Sequence, residues 1–264
     1  MKVRLAHVSD LHFGDTNPDI IAAAKVWLSQ ASPDLIVVSG DISQSGRRRE
    51  FAEAGAFFAS LALPVLATAG NHDAPVYSPW LRLMSPYGRF QALGAVSAWR
   101  TPPLVAVETL HTARAVQWRN DWSQGAFDLK ALNASLERMA PCTWRVLVAH
   151  HPPTTPFGAQ VRSDARRGAA ASKMIANNPN TLLLCGHVHR FNIARTDQGG
   201  AVCIAPTLAA GRPRAGGHGL VDICLDEEKA HLTLWLYSGE RFEPAMEVIV
   251  EDHQRTNHRG GGGD

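Results

Sequence analysis

The sequence predicts an α/β fold built around a parallel β-sheet. Short runs of aliphatic and β-branched residues alternate with amphipathic stretches of helical length, which is the pattern of consecutive βαβ units. Some runs, such as Leu35–Ser39, are apolar almost without a break, as in strands that are buried on both faces. The chain has 264 residues, 45% of them hydrophobic, which suits one large domain or two small ones.

The first half of the chain is predicted to fold as βαβαβ. Its strands are Val3–Ser9, Leu35–Ser39 and Pro64–Thr68. Asn17 offers an N-cap and Pro18 occupies the first helical position, so a helix is expected from there to about Gln30. Ser45 is expected to cap a second helix that ends near Leu61. Strands joined by helices in this way lie parallel in one sheet.

The second half continues the alternation of strands and helices. Its predicted strands are Leu104–Glu108, Arg145–Ala149, Thr181–Cys185 and Ala201–Ala205. Its predicted helices are Asp128–Met139 and about Ser163–Asn177. The last two strands, Gly219–Leu225 and His231–Tyr237, are separated by the charged turn Asp226–Lys229, which indicates a terminal β-hairpin.

No composition shift marks a domain boundary, so residues 1–250 are predicted to form a single domain. Residues 74–100 are rich in Pro, Trp, Tyr and Arg, which predicts a lid-like insertion of loop and short helix. Residues 251–264 end in RGGGGD and have no apolar side chain to bury, so we expect a disordered tail.

The composition argues against several classes of protein. The 26 Lys and Arg nearly balance the 24 Asp and Glu, and the net charge of +2 gives no strong field for nucleic acid or an anionic membrane. No apolar run approaches the ~18 residues of a membrane span. The four cysteines stand singly, which favours buried reduced thiols over a disulfide framework. Since the start of the chain lacks a signal segment, we expect an intracellular protein, cytoplasmic if its source is bacterial.

Five polar motifs follow apolar strand runs, at the point where each run ends. They are Asp10-Leu11-His12, Gly40-Asp41, Gly70-Asn71-His72-Asp73, His150-His151-Pro152-Pro153 and Gly186-His187-Val188-His189. In an open α/β sheet, ligands bind outside the carboxyl ends of the strands, so these motifs predict one common site. In DxH and HxH the side chains at i and i+2 can point the same way, so one strand end can supply two metal ligands.

Each motif also has a plainer interpretation. An Asp or Asn after a strand is often a turn former or a helix N-cap, and a single His at a strand end is more often hydrogen-bonded than bound to metal. GD and DxH therefore carry little weight alone, whereas GNHD followed by GHxH is specific. The presence of all five motifs in this order favours a metal site over five unrelated turns.

The ordered set DxH, GD, GNHD, HHPP and GHxH resembles the calcineurin-like metallophosphoesterases over roughly residues 5–205. The compact size, the HHPP motif and the insertion after GNHD are most similar to the bacterial class III cyclic-nucleotide phosphodiesterase branch. The resemblance implies a four-layer α/β/β/α sandwich with two mixed β-sheets and a dinuclear metal site at the carboxyl ends of the strands. The expectation of a second sheet rests on this resemblance.

The resemblance also implies roles for individual residues. The ligands of one ion would be Asp10, His12, Asp41 and His189. The ligands of the other would be Asp41, Asn71, His150 and His187, with Asp41 bridging the two. His72 and the adjacent Asp73 are assigned to catalysis, His72 as the group that contacts the phosphate and protonates the leaving oxygen. His151 is expected to orient a ligand rather than to bind an ion.

The metals expected at such a site are two divalent ions, because the ligands are oxygen and nitrogen donors without a thiolate. Mn, Fe and Zn all suit this set. A water between the two ions would be deprotonated near neutral pH and would attack phosphorus in line. The predicted function is therefore a dinuclear metal-dependent phosphodiesterase that acts on a small phosphodiester, with a 3′,5′-cyclic nucleotide as one candidate.

Other functions stay open. A phosphohydrolase for a lipid head group or a pyrophosphate-linked substrate is suggested by apolar residues of the insertion, namely Trp80, Leu81, Leu83, Met84 and Tyr87. A nuclease is disfavoured by the near-neutral charge. A non-catalytic scaffold of the same fold is disfavoured because no metal ligand is missing.

The expected partner is a small phosphoester, and the sequence is compatible with a homodimer. The insertion at residues 74–100 follows GNHD directly and is expected to overhang the site and set its substrate preference. The run Arg47-Arg48-Arg49 at the start of the second helix is more typical of a solvated face than of a substrate contact.

Overall fold

The structure is a computed structural model that describes residues 1–116, 123–156, 159, 163–211, 213 and 216–252. Its strands are β1 (Val3–Val8), β2 (Leu35–Val38), β3 (Val65–Ala67), β4 (Ala98–Thr101), β5 (Val105–Leu110), β6 (Trp144–Ala149), β7 (Thr181–Cys185), β8 (Asn192–Thr196), β9 (Gly200–Ile204), β10 (Gly219–Leu225), β11 (Lys229–Tyr237) and β12 (Phe242–Glu251). Its helices are α1 (Pro18–Ala31), α2 (Arg48–Ala59), α3 (Pro79–Met84), α4 (Gly88–Gln91), α5 (Leu129–Met139) and α6 (Gly168–Ala176).

The first sheet has the strand order β12-β11-β10-β1-β2-β3. Strands β1, β2 and β3 are parallel, which confirms the predicted βαβαβ opening. Strand β10 runs antiparallel to β1, with Val3 opposite Leu225, and β11 and β12 continue as an antiparallel meander. The last three strands therefore complete the sheet that the first three begin.

The second sheet has the strand order β4-β5-β6-β7-β9-β8. Its four central strands are parallel, and the edge strands β4 and β8 are antiparallel to their neighbours. Both sheets are therefore mixed, as the resemblance implies.

The two sheets pack face to face, and helices cover their outer faces. In β2, Leu35 and Val37 belong to the core between the sheets, whereas Ile36 and Val38 pack with α1 and α2 on the outer side. This two-sided burial explains the unbroken apolar run of the strand. On the second sheet, Leu147 packs with α5 and α6. The four-layer α/β/β/α sandwich is confirmed.

Strands β4, β8 and β12 are absent from the sequence-based prediction. Strands β4 and β8 are short edge strands in which no residue is fully buried, so neither has the apolar run that marks an inner strand. Strand β12 exposes most of its side chains and contains Pro244. It pairs with β11 and turns the expected terminal hairpin into a three-stranded meander.

Helices α2 and α6 are shorter than predicted. Ser45 does not cap α2; the Glu50 carboxylate accepts hydrogen bonds from the Ser45 N–H (2.8 Å) and the Arg47 N–H (3.0 Å), and the helix begins at Arg48. Helix α6 begins at Gly168 because Ser163, its expected start, donates its N–H to Thr155 Oγ1 instead (2.9 Å).

The structure also describes the predicted insertion, residues 74–100, and the start of the predicted tail at residue 251. Residues 74–100 contain α3, α4 and the start of β4. Strand β12 includes Glu251, and the buried Asp252 accepts a hydrogen bond from Asn180 (2.6 Å), so regular structure extends past the predicted start of the tail. Residues 253–264 lie outside the described residues. Among the helices that the structure describes, none has the length and hydropathy to cross a membrane.

Candidate metal centre

The loops after β1 and β2 are joined by backbone hydrogen bonds at the carboxyl edge of the first sheet. The Asp10 N–H donates to the Gly40 carbonyl (3.0 Å), and the His12 N–H donates to the Asp41 carbonyl (3.0 Å). These bonds bring the DxH and GD motifs together, as predicted from the geometry of parallel strands.

The second sheet supplies the other side of the site. The Gly186 N–H donates to the His150 carbonyl (2.9 Å) and so joins the loops after β6 and β7. The His187 N–H donates to the Asp10 carboxylate (3.0 Å), which connects the two sheets directly. The motifs of both sheets therefore meet at one edge of the sandwich.

Five of the predicted ligand residues have a left-handed backbone. Their φ angles are 53° for Asp10, 53° for His12, 49° for Asp41, 71° for His187 and 57° for His189. Only nine non-glycine residues in the described part of the chain have a positive φ, so this conformation is concentrated at the site. Such a backbone costs about 1–3 kcal/mol per residue and clusters where function requires it.

One group of side chains surrounds a point between the loops of the two sheets. The Nε2 atoms of His12 and His189 are 3.2 Å apart, and His189 Nε2 lies 3.1 Å from Asp10 Oδ1. His12 Nε2 is 3.8 Å from Asp10 Oδ1 and 3.9 Å from Asp41 Oδ2. This spacing of imidazole and carboxylate atoms is compatible with one metal ion.

A second group lies on the other side of Asp41. His150 Nε2 is 3.2 Å from Asp41 Oδ2 and 3.1 Å from Asn71 Oδ1. The ring centroids of His150 and His187 are 5.1 Å apart. Asp41 Oδ2 is therefore near both groups.

Two glycines let the loops approach the carboxylates. A Cβ on Gly70 would overlap Oδ1 of Asp41, and a Cβ on Gly186 would overlap the hydroxyl of Ser9. Any larger residue at either position would push its loop away from the site. The glycines of GNHD and GHxH are therefore required by close packing.

Burial and mutual contact shift the pKa values at the site. Burial alone would raise the pKa of Asp41, but His150 and His72 hold that pKa well below its usual range. Burial opposes the charge of His150, yet the contact with Asp41 raises the pKa of His150 to about 9. Burial lowers the pKa of His12 to about 4. Without metal, His150 and Asp41 thus form a buried ion pair, whereas His12 is neutral.

His72 lies beside Asp41 and His12. The backbone N–H of His72 donates to Asp41 Oδ1 (2.8 Å). The ring centroid of His72 is 4.8 Å from that of His12. His72 Nδ1 is 2.8 Å from the Gln44 carbonyl oxygen. A carbonyl only accepts hydrogen bonds, so Nδ1 carries the proton and Nε2 is left for other contacts.

Asp73, which the sequence analysis assigns to catalysis, lies behind the GNHD loop, and its assigned role stays a prediction. Asp73 is 1% exposed, and its carboxylate accepts hydrogen bonds from the N–H (2.8 Å) and hydroxyl (3.0 Å) of Ser43 and from the Gly70 N–H (2.8 Å). These bonds hold the GNHD loop against the loop after β2. Asp73 therefore positions the loop that carries His72.

His151 lies close to His150 and His187, but both of its ring nitrogens have other partners. Nδ1 is 3.0 Å from Thr112 Oγ1, and Nε2 is 2.7 Å from the Ser123 carbonyl oxygen. This arrangement leaves neither nitrogen for an ion. The expected role of His151 in orienting a ligand stays a prediction.

The sequence-based prediction misses the hydroxyl and carbonyl groups that hold the ligands. Ser9 Oγ donates to Asp10 Oδ2 (2.6 Å), and Thr207 Oγ1 donates to the Asp10 carbonyl (2.7 Å). His150 Nδ1 donates to the Ser39 carbonyl (2.8 Å). Ser9 and Ser39 directly precede the DxH and GD motifs, which is a usable signal. Thr207 follows β9 and has no motif of its own.

The donor set fits a pair of divalent ions. Six of the seven predicted ligands are at most 8% exposed, namely Asp10, His12, Asp41, His150, His187 and His189. Buried carboxylates need nearby positive charge, and their oxygens, together with an amide and neutral imidazoles, are ligands that divalent metals prefer.

The family model described as "Calcineurin-like phosphoesterase" matches residues 3–191. This match spans well over half of the chain, so the protein belongs to the calcineurin-like phosphoesterase family and is a metal-dependent phosphoesterase. The resemblance seen in the motifs is confirmed.

Relatives with phosphodiesterase names support this class. A Synechococcus sp. protein named "Probable cyclic nucleotide phosphodiesterase" is 28% identical over 207 residues, which cover 72% of this chain and 74% of its own. The glycerophosphodiester phosphodiesterase GpdQ of Enterobacter lignolyticus is 26% identical over 221 residues, 77% of each chain. A dimetal phosphatase from Danio rerio shares the fold, with a TM-score of 0.69 and 15% identity over 95% of this chain and 99% of its own.

Proposed function

We propose that this protein is a dinuclear metal-dependent phosphodiesterase that hydrolyses a small phosphodiester. The observation that carries the proposal is the convergence of imidazole and amide ligands around the shared carboxylate of Asp41, at 3.2 Å from His150 Nε2 and 3.9 Å from His12 Nε2. The names of the two sequence relatives support a diester as the substrate class.

The residues in these groups divide into two ligand sets. One ion would be held by Asp10, His12, Asp41 and His189, and the other by Asp41, Asn71, His150 and His187. Bound divalent ions would supply Lewis-acid stabilisation of the phosphoryl oxygens and a water molecule acidic enough to act as the nucleophile at neutral pH. Mn, Fe or Zn suits this mixture of oxygen and nitrogen ligands.

His72 would protonate the leaving oxygen of the substrate. With its Nδ1 hydrogen on the Gln44 carbonyl, Nε2 is the nitrogen that can carry a second proton. As the P–O bond to the leaving alcohol breaks, its electron pair goes to the leaving oxygen, which takes the proton from Nε2. The hydrogen bond from the backbone N–H of His72 to Asp41 Oδ1 keeps this residue beside the ligand groups during this step.

The space beside His72 supports a small substrate. A cavity of about 380 Å³ is lined by Asn71, His72, Val76, Pro79, Arg82 and Ser123. This volume is at the lower end of the range for small-molecule sites and suits a nucleotide-sized or glycerol-sized alcohol. A cyclic nucleotide and a glycerophosphodiester, the substrate classes in the names of the two relatives, are therefore the leading candidates.

A phosphohydrolase for a lipid head group is the second candidate. It is favoured by the exposure of Trp80 (68%) and Leu83 (60%) on the helix that begins at the cavity-lining Pro79. A water-soluble diester would give these side chains nothing to contact.

The test is hydrolysis of bis(p-nitrophenyl) phosphate by protein loaded with Mn²⁺. We expect turnover of this diester, and we expect Asp41→Asn to lose both turnover and the tight binding of either ion, because both ligand sets share this carboxylate. The matched control is Asp19→Asn, at an exposed position in the first turn of α1, which should behave as the unmodified protein.

Metal analysis separates the enzyme from a scaffold. A protein that holds two ions but leaves the diester intact would refute the phosphodiesterase. Fewer than about one tightly held ion per chain after loading would favour a non-catalytic scaffold. A panel of cyclic nucleotides, nucleotide monoesters, glycerophosphodiesters and UDP-linked lipids, assayed with the active protein, would then identify the substrate class.

A further inference from the structure

A set of large apolar side chains is exposed on the insertion, beside the cavity. This α3 patch consists of Val76 (57% exposed), Tyr77 (43%), Trp80 (68%), Leu83 (60%) and Met84 (58%). The described residues contain eleven exposed large hydrophobic side chains, and five of them fall within these nine positions. Exposed apolar groups that cluster in this way mark interaction surfaces, whereas scattered ones need no explanation.

Helix α3 exposes its apolar face and buries a charged side chain, the reverse of an ordinary surface helix. Trp80, Leu83 and Met84 are spaced i, i+3 and i+4, so they share one face, and that face is exposed. Arg82, on the other face, is only 7% exposed, and its Nε donates to the Ala115 carbonyl. A surface helix of a globular protein normally buries its apolar face and exposes its charged one. The patch therefore needs a covering partner.

Arginines border the α3 patch. The guanidinium of Arg47 lies 4.8 Å from the Tyr77 ring centroid, and that of Arg89 lies 5.7 Å from it. Arg48 and Arg49 are exposed next to Arg47. The whole insertion, residues 74–100, contains three Arg and no Lys, Asp or Glu. Glu50 lies 3.9 Å from Arg47, and Glu53 pairs with Arg49 (2.7 Å). Arg47, Arg48, Arg49 and Arg89 still outnumber these two acidic side chains, which leaves a local excess of positive charge.

We propose that the α3 patch and its bordering arginines dock this protein onto an anionic phospholipid surface. Trp, Leu and Met side chains enter the boundary between head groups and acyl chains, and arginines at its edge attract anionic head groups. Inserted apolar side chains alone, or arginines alone, would give only weak membrane binding. Stable peripheral binding requires both. No membrane-spanning segment is needed for this mode of binding.

A second copy of the chain fits the patch less well. In a twofold dimer that covers α3 with α3, the arginines beside Tyr77 of one copy face those of the other. The arginines at this edge outnumber the acidic side chains beside them, Glu50 and Glu53. Like charges opposed across an interface oppose association, whereas the same charges strengthen binding to an anionic surface.

Docking through the α3 patch would place the opening of the cavity next to the phospholipid surface. Val76 belongs to the α3 patch and also lines the cavity together with Pro79, the first residue of α3. A surface that meets the patch therefore lies at the rim of the cavity and next to His72. The docking itself does not rest on the proposed phosphodiesterase activity, and it is tested without an activity measurement.

The test is co-sedimentation of the purified full chain with vesicles. One set contains only phosphatidylcholine and the other contains about 30% phosphatidylglycerol. We expect binding to the anionic vesicles, weakened by raising the salt from about 0.1 to 0.5 M because screening shortens the reach of the arginine charges. Leu83→Ser should weaken binding by about tenfold or more, because it removes one fully inserted apolar side chain. Arg47→Ser, which removes a guanidinium beside Tyr77, should weaken it by about fivefold.

Matched controls come from exposed apolar residues elsewhere. Val26→Ser on α1 and Met246→Ser on β12 remove side chains of similar exposure (55% and 50%) and should not change vesicle binding. The thermal unfolding midpoint of each variant checks that the fold is kept. Bromine-labelled acyl chains should quench less fluorescence in Trp80→Phe than in the unmodified protein, since Trp80 would lie at the lipid boundary.

Two results would overturn the proposal. One is the absence of binding to anionic vesicles, or binding that Leu83→Ser and Met246→Ser weaken equally. The other is a dimer in sedimentation velocity that Leu83→Ser dissociates, because the patch would then be covered by a second copy. Neither result bears on diester hydrolysis, so failure here is distinct from failure of the proposed function.

Discussion

The two carboxylate oxygens of Asp41 perform different tasks. Oδ1 accepts the His72 N–H (2.8 Å), and Oδ2 lies 3.2 Å from His150 Nε2. One side chain from the loop after β2 thus fixes the position of His72 and joins the two groups of ligands. Asp41 makes these contacts from a left-handed backbone, with φ at 49°.

The proton-donor role of His72 is tested by His72→Ala with two substrates. A nucleoside alkoxide needs a proton as it leaves, whereas p-nitrophenolate is already a stable anion. We expect the variant to hydrolyse a cyclic nucleotide roughly 10²–10⁴-fold more slowly than the unmodified protein, and to be less impaired on bis(p-nitrophenyl) phosphate.

Metal content and stability are measured on the same His72→Ala sample, and both should be unchanged. Equal losses on the two substrates would reject the acid role and favour a phosphate contact. Loss of an ion would instead make His72 a ligand. His231→Ala, on β11 in the meander, is the matched histidine control and should retain full activity.

We expect the ion pair of His150 and Asp41 to make metal binding depend on pH, because both residues are proposed metal ligands. The pKa of His150 is raised to about 9, so its imidazole is protonated at neutral pH and must lose that proton to bind a metal. The pKa of His12 is lowered to about 4, so His12 releases none. Apparent metal affinity should therefore rise with pH, by up to about tenfold per unit, and level off near pH 9.

Titration calorimetry in buffers of different ionisation enthalpy counts the released protons. At pH 7, the count should fall by about one in His150→Asn and stay unchanged in His231→Asn. An affinity that does not vary between pH 6 and pH 9 would contradict the ion pair.

At the scale of elements, the segment after β9 braces the loop after β1. The Leu208 N–H donates to the Ser9 carbonyl (2.8 Å), and the Asn17 N–H donates to the Ala209 carbonyl (3.0 Å). Thr207 Oγ1 donates to the Asp10 carbonyl (2.7 Å) and accepts the Ala210 N–H (3.1 Å). The family match ends at residue 191, so this support comes from outside it.

Thr207→Val tests this support because it keeps the volume of the side chain and removes the hydroxyl. The Asp10 carbonyl and the Ala210 N–H lose a buried partner, which should destabilise the protein by about 1–3 kcal/mol. Because Asp10 belongs to one ligand set, the affinity for that ion should fall as well. Thr207→Ser keeps the hydroxyl and should retain the metal affinity; if the two variants bind metal equally well, the hydroxyl has no positioning role.

The predictability of each element follows from its burial. Inner strands such as β2 and β7 carry their own signal, because both faces are packed and the residues are uniformly apolar. Edge strands such as β8 and β12 have mostly partly exposed or exposed side chains, and only the neighbouring strand makes them regular. Their existence depends on contacts that are distant in sequence.

In the site, too, some features can be predicted from the sequence and others depend on contacts between distant segments. The predicted ligands converge because each follows a strand whose carboxyl end lies at the same edge of the sandwich. These strands are inner ones except β3, the edge strand that precedes Asn71. Asp73 follows the same rule in sequence but faces Ser43 and Gly70, since only the three-dimensional path of the GNHD loop decides where its carboxylate points. The exposed face of α3 likewise appears only in the structure, since its spacing also suits a buried helix.

At the scale of the molecule, the two sheets meet at the candidate metal centre. Asp10, His12 and Asp41 follow strands of the first sheet, whereas His150 and His187 follow strands of the second. An ion bound by both sets would cross-link the sheets. Metal should therefore stabilise the whole fold rather than one loop.

Chelation tests this link. At free metal about 100–1,000 times the dissociation constant, binding stabilises the folded state by about 3–4 kcal/mol. Removing the metal should then lower the thermal unfolding midpoint by roughly 10 °C in a domain of this size. The midpoint of Asp41→Asn should not respond to the chelator, and a similar response in this variant would place the stabilising ion elsewhere.

The order of the ligands along the chain also governs when the protein can acquire metal during its synthesis. The carboxylates and Asn71 emerge from the ribosome early, whereas His150, His187 and His189 come from the second half of the chain. A nascent chain that ends before β7 holds an incomplete set for both ions. With the proposed ligand set, we expect tight binding of either ion only after His187 and His189 have been synthesised.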